Sequence, residues 1–478
     1  MASHGFQNTV ENCENTILSV KGSIPPWLHG NLFRAGPGKF DIDTKGKDKQ
    51  FSFQHWFDGL TQIHKFSILK GGVVEYRNKF TATEMEKVIE DGNHPGVTFG
   101  QDPCYSVFRK FFTFFNNSNV TNIGVVVDSA FPKTSTNNSL VIQRDANGLM
   151  ELEEETLKPK EVFSYQNFDP SLDGLLSAAH SCIDSESGER FNYTLKFGST
   201  CTYRLFGIKD GKVNIYATIK HAPAYIHSFS LTKNFIIFQI YPYWFKMNGL
   251  AIPYYKNILQ ALKWNADMKT STYLVNRNTK EIKAFESEAC FTFHHINAFE
   301  QDSKVFFDAC EFEDASIVGK LTLQNLRSQD TFSCRNKIVR YCIDSDEISK
   351  TVLNEEGFTD LPRINPLYAK QPHRFVYGIH SKTNTLSDSL IKVDCSKSSS
   401  SLVWKEENCF PGEPIFVPSP TKESEDDGVI LSVVLDSNLT QPSSFLLILD
   451  AKSMKEIARA LVPQVICFGF HGDFKESQ

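Results

Sequence analysis

Histidines are the residues of this chain whose type and setting could do chemistry. Of the 13 in the sequence, four follow a small or apolar residue close to strand-like runs, in Ala-Ala-His180, Tyr-Ile-His227, Phe-His294 and Gly-Phe-His471. Neutral imidazole is a common metal ligand, and it is also a common hydrogen-bonded residue of protein cores. The gaps between these four are too long for a local metal motif, so their spacing leaves both roles open.

Signatures of several other chemistries are absent from the sequence. It has no glycine-rich phosphate loop, no Gly-x-Ser-x-Gly elbow and no His-Glu-x-x-His pair, which argues against the commonest nucleotide-binding, serine-hydrolase and zincin functions. The 11 cysteines include no Cys-x-x-Cys pair, so neither a zinc site nor a disulfide framework is expected. A net charge of −6 without a basic run argues against nucleic acid as a partner.

Short strands are the elements that must position these histidines. Runs of β-branched and aromatic residues bounded by Gly, Asn, Asp or Pro recur at 141–143, 234–240, 304–309, 428–436 and 444–451. Few stretches keep a helical apolar period for more than two turns. The sequence therefore predicts an all-β architecture of many small sheets, either a barrel or a propeller.

The expected location follows from what the sequence lacks. The first residues have neither the basic start nor the apolar stretch of a secretory signal. No run reaches the roughly 18 apolar residues that span a bilayer. We expect a cytoplasmic protein that is not secreted and that, if it meets a membrane, lies on its surface.

A series of ordered motifs runs almost from end to end of the chain. They are Gly-Ser-Ile-Pro-Pro-Trp-Leu-His-Gly-Asn-Leu-Phe-Arg-Ala-Gly-Pro-Gly-Lys-Phe (22–40), His-Trp-Phe-Asp-Gly (55–59), Asp-Pro-Cys (102–104), Tyr-Ile-His-Ser-Phe (225–229), Phe-His-His-Ile-Asn-Ala-Phe-Glu (293–300), Gly-Glu-Pro-Ile-Phe-Val-Pro (412–418), Glu-Asp-Asp-Gly-Val-Ile-Leu-Ser-Val-Val (425–434) and Phe-His-Gly (470–472). In these motifs the sequence resembles the carotenoid cleavage oxygenases, close to the animal β-carotene oxygenases and the retinoid isomerase.

The resemblance implies both a fold and a metal. The fold would be a seven-bladed β-propeller with a helical and loop cap over an axial metal site, formed by residues 1–478 as a single domain. The metal would be a non-haem Fe²⁺, held by four histidines that match His180, His227, His294 and His471. No catalytic residue beyond these ligands is implied, and His295 becomes a bystander. Four neutral imidazoles suit Fe²⁺ and leave positions open for O₂.

The family also places carboxylates behind the histidines, where they fix the orientation of each ring. Glu413 matches the family outright and is expected to hold His471. Asp360 is assigned to His294. Ser135, in Lys-Thr-Ser-Thr-Asn where relatives read Thr-Glu-Thr-Asn, is assigned to His227.

Two groups of aromatic residues complete the predicted site. A substrate tunnel should be lined by residues that flank the matched motifs, namely Phe57, Tyr225, Phe293 and Phe470. After Asp-Pro-Cys, one face of a predicted helix carries Cys104, Phe108, Phe111, Phe112 and Phe115. The pattern alone favours packing on the propeller, whereas the resemblance assigns this segment, about 100–120, to membrane contact. A second aromatic cluster at 241–255 is expected to complete the rim.

The function that follows is cleavage of a carotenoid or apocarotenoid double bond with O₂, which would give carbonyl products at the membrane surface, with the endoplasmic reticulum as one candidate. Two alternatives remain on the same scaffold. A retinoid ester isomerohydrolase would use the same iron as a Lewis acid, and a non-catalytic carotenoid-binding protein would keep the tunnel while its activity decays. An unrelated enzyme on a propeller is a more distant alternative.

Overall fold

The computed structural model describes residues 2–45, 50–101, 103, 121–131, 139–328, 332–397, 400–438 and 443–477. Antiparallel strands dominate these ranges, as the sequence predicted. The described α-helices are short: α1 (Thr83–Glu90), α2 (Ala251–Tyr255), α3 (Ile258–Ala261), α4 (Ser316–Lys320) and α5 (Leu323–Arg327). The 3-10 turns are Ala2–Phe6, Trp56–Asp58, Tyr165–Asn167, Lys246–Gly249 and Pro366–Tyr368.

Within the described residues, five antiparallel sheets have four strands each. The first two consist of β7 (Val126–Asp128), β8 (Ser139–Gln143), β9 (Leu149–Glu153) and β10 (Pro159–Phe163), and of β11 (Cys182–Asp184), β12 (Glu189–Lys196), β13 (Thr202–Lys209) and β14 (Lys212–Lys220). The third consists of β15 (Ser230–Leu231), β16 (Phe235–Ile240), β19 (Thr270–Asn276) and β20 (Ile282–Ser287). The last two consist of β21 (Phe291–Gln301), β22 (Lys304–Phe312), β23 (Lys337–Asp344) and β24 (Glu347–Asn354), and of β25 (Phe358–Arg363), β26 (Phe375–Ser381), β27 (Ser389–Asp394) and β28 (Ser401–Trp404).

A larger sheet joins strands from the two ends of the chain. Its ten strands are β1 (Thr16–Gly22), β2 (Gly30–Lys39), β5 (Leu60–Ile68), β6 (Val74–Phe80), β29 (Cys409–Pro411), β30 (Ile415–Pro418), β31 (Gly428–Asp436), β32 (Ser443–Asp450), β33 (Glu456–Val462) and β34 (Gly472–Glu476). Two smaller hairpins consist of β3 (Asp41–Asp43) with β4 (Gln50–Ser52), and of β17 (Tyr243–Phe245) with β18 (Leu262–Trp264).

The propeller is confirmed, but the prediction of seven blades is wrong. The described residues form five four-stranded blades and the ten-stranded sheet, because β1 pairs with β33 through Ser19–Gly22 and with β6 through Thr16–Leu18. An edge strand satisfies its free backbone N–H and C=O groups with any strand that lies alongside it. Strand β1 lies between two such edges and joins them into one sheet.

The sheets surround a common axis, which makes the fold a propeller. The edge strands β11, β15, β21 and β25 each contact the next in this order, and β34 contacts both β7 and β30. Buried apolar clusters fill the space between neighbouring sheets. For example, Ile237 and Leu274 of one sheet pack against Phe307 and Tyr341 of the next. This burial holds the sheets together.

The described helices contribute to the largest buried cluster. Met85 of α1, Ile317 of α4 and Leu323 of α5 belong to the same buried cluster as Phe293 and Phe470. None of the helices in the described ranges is long and apolar enough to cross a membrane. The helical and loop cap over the site stays a prediction.

Candidate metal centre and cavity

Four imidazoles meet near the axis. The Nε2 atoms of His180 and His294 lie 3.0 and 3.1 Å from Nε2 of His471. One ring nitrogen of each of these residues and of His227 lies within 4.8 Å of the others. His180 is half-buried and the other three are buried. The fold therefore brings together the four histidines that the sequence singled out, although they come from segments up to about 290 residues apart in the chain.

The inner edge strands position these rings. His180, His227 and His471 lie just before β11, β15 and β34 respectively, and the His180 N–H donates to the His227 carbonyl over 3.3 Å. His294 lies inside β21, where the register against β22 shifts twice, on either side of His295. Such bulges re-aim side chains next to functional sites.

His295 is held away from this centre. Its Nδ1 lies 2.6 Å from the Ser230 hydroxyl and its Nε2 lies 3.0 Å from the Tyr241 hydroxyl. Its ring stacks on Phe307 with an interplanar angle of 8°. In the structure His295 is therefore a core residue between two sheets.

Carboxylates stand behind two of the rings, at the residues predicted from the sequence. His471 donates from Nδ1 to Glu413 over 2.7 Å, and His294 donates from Nδ1 to Asp360 over 2.6 Å. Asp360 lies in β25 at a register shift, followed by Leu361 in a left-handed backbone conformation with φ of 48°. This bulge aims the shorter aspartate side chain at His294.

The carboxylate behind His227 was missed from the sequence. His227 Nδ1 donates to Asp145, whose Oδ1 and Oδ2 lie 2.8 and 2.9 Å away. The Tyr225 hydroxyl also donates to Oδ2 over 2.7 Å. The sequence signal for this residue was the triplet Asp145-Ala-Asn. It has the same acid-x-Asn pattern as Glu-Thr-Asn in relatives, with an aspartate, one methylene shorter, in place of the glutamate. Ser135, the residue assigned from the sequence, lies outside the described residues.

The donor set fits one metal ion. Since the Nδ1 proton of each of these three rings goes to a carboxylate, its Nε2 is left with a free lone pair. Burial holds the pKa of His180 and of His471 well below the usual range, and neighbouring histidines lower it further. Neutral imidazoles are the form that binds a metal.

A cavity of about 640 Å³ opens onto this centre. Its lining includes His227, His294 and His471, and it also includes the four aromatic residues expected from the sequence, Phe57, Tyr225, Phe293 and Phe470. The aromatic residues contact one another edge to face: the Phe57 ring centroid lies 5.4 Å from that of Phe470 and 6.1 Å from that of Phe293. The apolar walls end at the imidazoles, so an apolar ligand in the cavity would lie beside the metal position.

The comparisons with known proteins agree with this geometry. The family model for the retinal pigment epithelial membrane protein matches residues 6–476. A carotenoid dioxygenase of Neurospora crassa is 32% identical, over 98% of this chain and 90% of its own length. This chain belongs to the carotenoid cleavage oxygenase family.

Two other relatives illustrate the range of the family. The beta,beta-carotene 15,15'-dioxygenase of Mus musculus is 30% identical, over 98% of this chain and 90% of its own length. The solved structure of a mutant Synechocystis apocarotenoid oxygenase superposes with a TM-score of 0.84, at 24% identity over 99% of this chain and 98% of that one. The structural match supports the propeller fold of this family member.

The predicted membrane-contacting residues cannot be placed. Cys104, Phe108, Phe111, Phe112 and Phe115 lie outside the described residues. Of the second aromatic cluster, Ile252 lines the cavity together with Phe245, and Leu250 and Met247 are exposed beside them.

Proposed function

We propose that this family member is an Fe²⁺-dependent oxygenase that cleaves a double bond of a carotenoid or apocarotenoid with O₂ and gives carbonyl products. The observation that carries this proposal is the convergence of four imidazoles at the end of an aromatic cavity. Imidazole suits Fe²⁺, and a set of four leaves coordination positions open. The relatives named carotenoid dioxygenases support the reaction class.

His180, His227, His294 and His471 would hold the iron, which when bound supplies the redox chemistry that lets O₂ react with a polyene. The chain's own contribution is positioning. Asp145, Asp360 and Glu413 accept from Nδ1 of three rings, which orients each Nε2 towards the centre.

The cavity supports a long apolar substrate. Phe57, Phe293 and Phe470 offer ring faces and edges along which a conjugated chain can lie. A chain that fills this volume also displaces water from the site. The polyene would thus be held in a fixed orientation with one double bond next to the four histidines.

We also propose that the substrate enters from a membrane surface. Three apolar side chains near the cavity are exposed: Leu175 (65%), Met247 (72%) and Leu250 (56%). Leu175 lines the cavity, and Met247 and Leu250 lie on either side of Gly249, which also lines it. Leucine and methionine this exposed beside an apolar opening favour contact with a lipid surface. Phe111, Phe112 and Phe115, which lie outside the described residues, are also proposed to contact the membrane, and the protein would be peripheral and cytoplasmic.

The test of the reaction combines metal analysis with two assays. Purified protein should contain close to one iron per chain and consume O₂ with carotenoid. His294→Ala should abolish both iron binding and O₂ consumption. The control is His221→Ala, which should abolish neither, because His221 is a half-buried histidine that contacts Ser271. Turnover of a retinyl ester without O₂ would favour the isomerohydrolase, and pigment binding without either reaction would favour a carotenoid-binding protein.

The test of the membrane contact is sedimentation with liposomes. Each apolar side chain that becomes fully buried in lipid contributes roughly 1.5–3 kcal/mol. The double change of Met247 and Leu250 to Ser should therefore release protein from the vesicles. Val403→Ser, at a position 47% exposed in β28, should not. Equal retention of both variants would contradict this part of the proposal.

A further inference from the structure

The apolar cavity contains one cationic side chain. Arg144 is the only arginine or lysine among the described residues that line it. It follows β8 in the turn that leads to β9, and it directly precedes Asp145, the partner of His227. Its guanidinium therefore belongs to the part of the wall that also holds the metal centre.

The guanidinium has few hydrogen-bond partners among the described residues. In the described part of the chain, its Nε is buried without a hydrogen bond, and its one contact within hydrogen-bond range is from Nη1 to the Asn122 carbonyl at 3.5 Å. A guanidinium offers five N–H donors. Burial lowers the pKa of Arg144 to about 10, partly opposed by Asp145, so the group is charged at neutral pH.

The carboxylates of the wall make their hydrogen bonds to other donors. Asp145 accepts from His227, Tyr225 and the Ala179 N–H. Asp58 accepts from the N–H groups of Phe99 and Gly100, and Asp360 accepts from His294. Their oxygens accept hydrogen bonds from backbone N–H groups and from the imidazoles, so the N–H donors of Arg144 remain available to a ligand.

A hydrocarbon that filled this cavity would remove water from the guanidinium and leave its N–H donors without acceptors, which is unfavourable. A ligand oxygen would replace that water. We propose that Arg144 binds a carboxylate or carbonyl oxygen of the substrate, so that the preferred substrate class is an oxygenated polyene rather than a hydrocarbon carotenoid. This inference rests on the proposed function, because it assumes that the cavity is the polyene site.

A carboxylate is the strongest match. Arginine and carboxylate pair through two parallel N–H···O bonds that fix orientation as well as affinity. The polyene acid would then be bound in one direction along the cavity, with its oxygenated end on the Arg144 side. Arg144 would thereby help to determine which double bond lies next to the four histidines.

The test measures binding and does not depend on cleavage. A polyene carboxylic acid with one β-ionone ring and the hydrocarbon of equal chain length are titrated into the protein under argon. The readout is quenching of tryptophan fluorescence, since Trp56 lines the cavity. The parent should bind the acid roughly 10- to 100-fold more tightly than the hydrocarbon, the range expected for hydrogen bonds to a charged group.

Three variants separate the outcomes. Arg144→Met, similar in length but uncharged, should lose the preference for the acid and bind the hydrocarbon at least as well as the parent. Arg144→Lys should keep part of the preference. Arg204→Met removes an arginine that pairs with Asp173 outside the cavity and should keep all of it.

Equal affinity of the parent for the two ligands, or an unchanged preference in Arg144→Met, would overturn the assignment of Arg144. In either case the oxygenase proposal would stand, because both ligands still bind. If neither ligand bound to the parent, the proposed function itself would be overturned. Hydrocarbon binding by Arg144→Met also shows that this variant folds.

Discussion

Arg363 and His471 donate to the same oxygen of Glu413. The Arg363 Nε lies 2.8 Å from Oε1 of Glu413, and the His471 Nδ1 lies 2.7 Å from it. The second oxygen accepts from the Gly472 N–H over 2.8 Å. Glu413 is therefore held by three donors, and through it Arg363 stabilises the orientation of a metal-binding ring.

Glu413→Gln should weaken metal retention. The amide N–H₂ would face either the two donors at Oε1 or the one donor at Oε2, so at least one hydrogen bond is lost whichever way it turns. Loss of such a partner lowers metal affinity or activity by roughly 10- to 100-fold. Iron release to a chelator, followed over time, measures the effect. Glu300→Gln is the control, because Glu300 also accepts several hydrogen bonds, from Thr232 and Asn234, but in a different sheet. Equal rates for both variants would contradict the assignment.

Asp145→Asn should also loosen iron, again by roughly 10- to 100-fold, because the charged acceptor behind His227 is lost. Tyr225→Phe should loosen iron less than Asp145→Asn does, since it removes only a second hydrogen-bond donor to Asp145. Ser135→Ala discriminates between the two assignments for His227. If Asp145 is the partner, Ser135→Ala leaves iron retention unchanged. Faster release from Ser135→Ala than from Asp145→Asn would restore the assignment made from the sequence.

His55 should make stability fall as the pH is lowered. The ring is fully buried, its Nε2 donates to the Val318 carbonyl over 2.9 Å, and its Nδ1 accepts from the Phe57 N–H. Burial lowers the pKa of His55 to about 4 in the folded state. Below the unfolded value of about 6.5, the unfolded chain therefore takes up a proton that the folded chain does not.

The resulting loss is about 2 kcal/mol of unfolding free energy between pH 7 and pH 5. Urea unfolding at the two pH values measures it. His55→Gln does not titrate, so its loss over this range should be smaller than that of the parent by about this amount. The other histidines are common to both proteins and cancel in the comparison. Parallel losses would show that His55 is not responsible.

Phe307→Ala should destabilise the junction of two sheets. Phe307 is fully buried and its ring stacks on Tyr341 with centroids 4.6 Å apart, while His295 lies on its other face. Truncation of a buried phenylalanine to alanine costs about 3–5 kcal/mol. Denaturant unfolding is the measurement. Val403→Ala, at an exposed position of β28, should change stability by less than about 0.5 kcal/mol.

The sequence by itself determined the elements and most of the site. Strand-type runs such as 428–436 became β31 because their β-branched and apolar residues are buried in a sheet. His227, His294, His471 and Glu413 were identifiable because each lies within a motif whose order along the chain is kept, and His180 and Asp360 were matched between such motifs. The residue types in a run and the order of motifs are properties of the linear sequence, so they can be recognised without the structure.

Only the tertiary structure decided three other features. Strand β1 joins two sheets, because its pairing with β33 and β6 depends on which edges the fold brings alongside it. Asp145 rather than a neighbouring segment meets His227, because their contact spans 82 residues. Among the described residues, the Nε of Arg144 has no hydrogen-bond partner, because the nearby carboxylates accept from other donors in the folded chain. Which strand edges meet, and which donors and acceptors then pair, depends on the packing of distant segments, so these features are determined only when the chain has folded around its core.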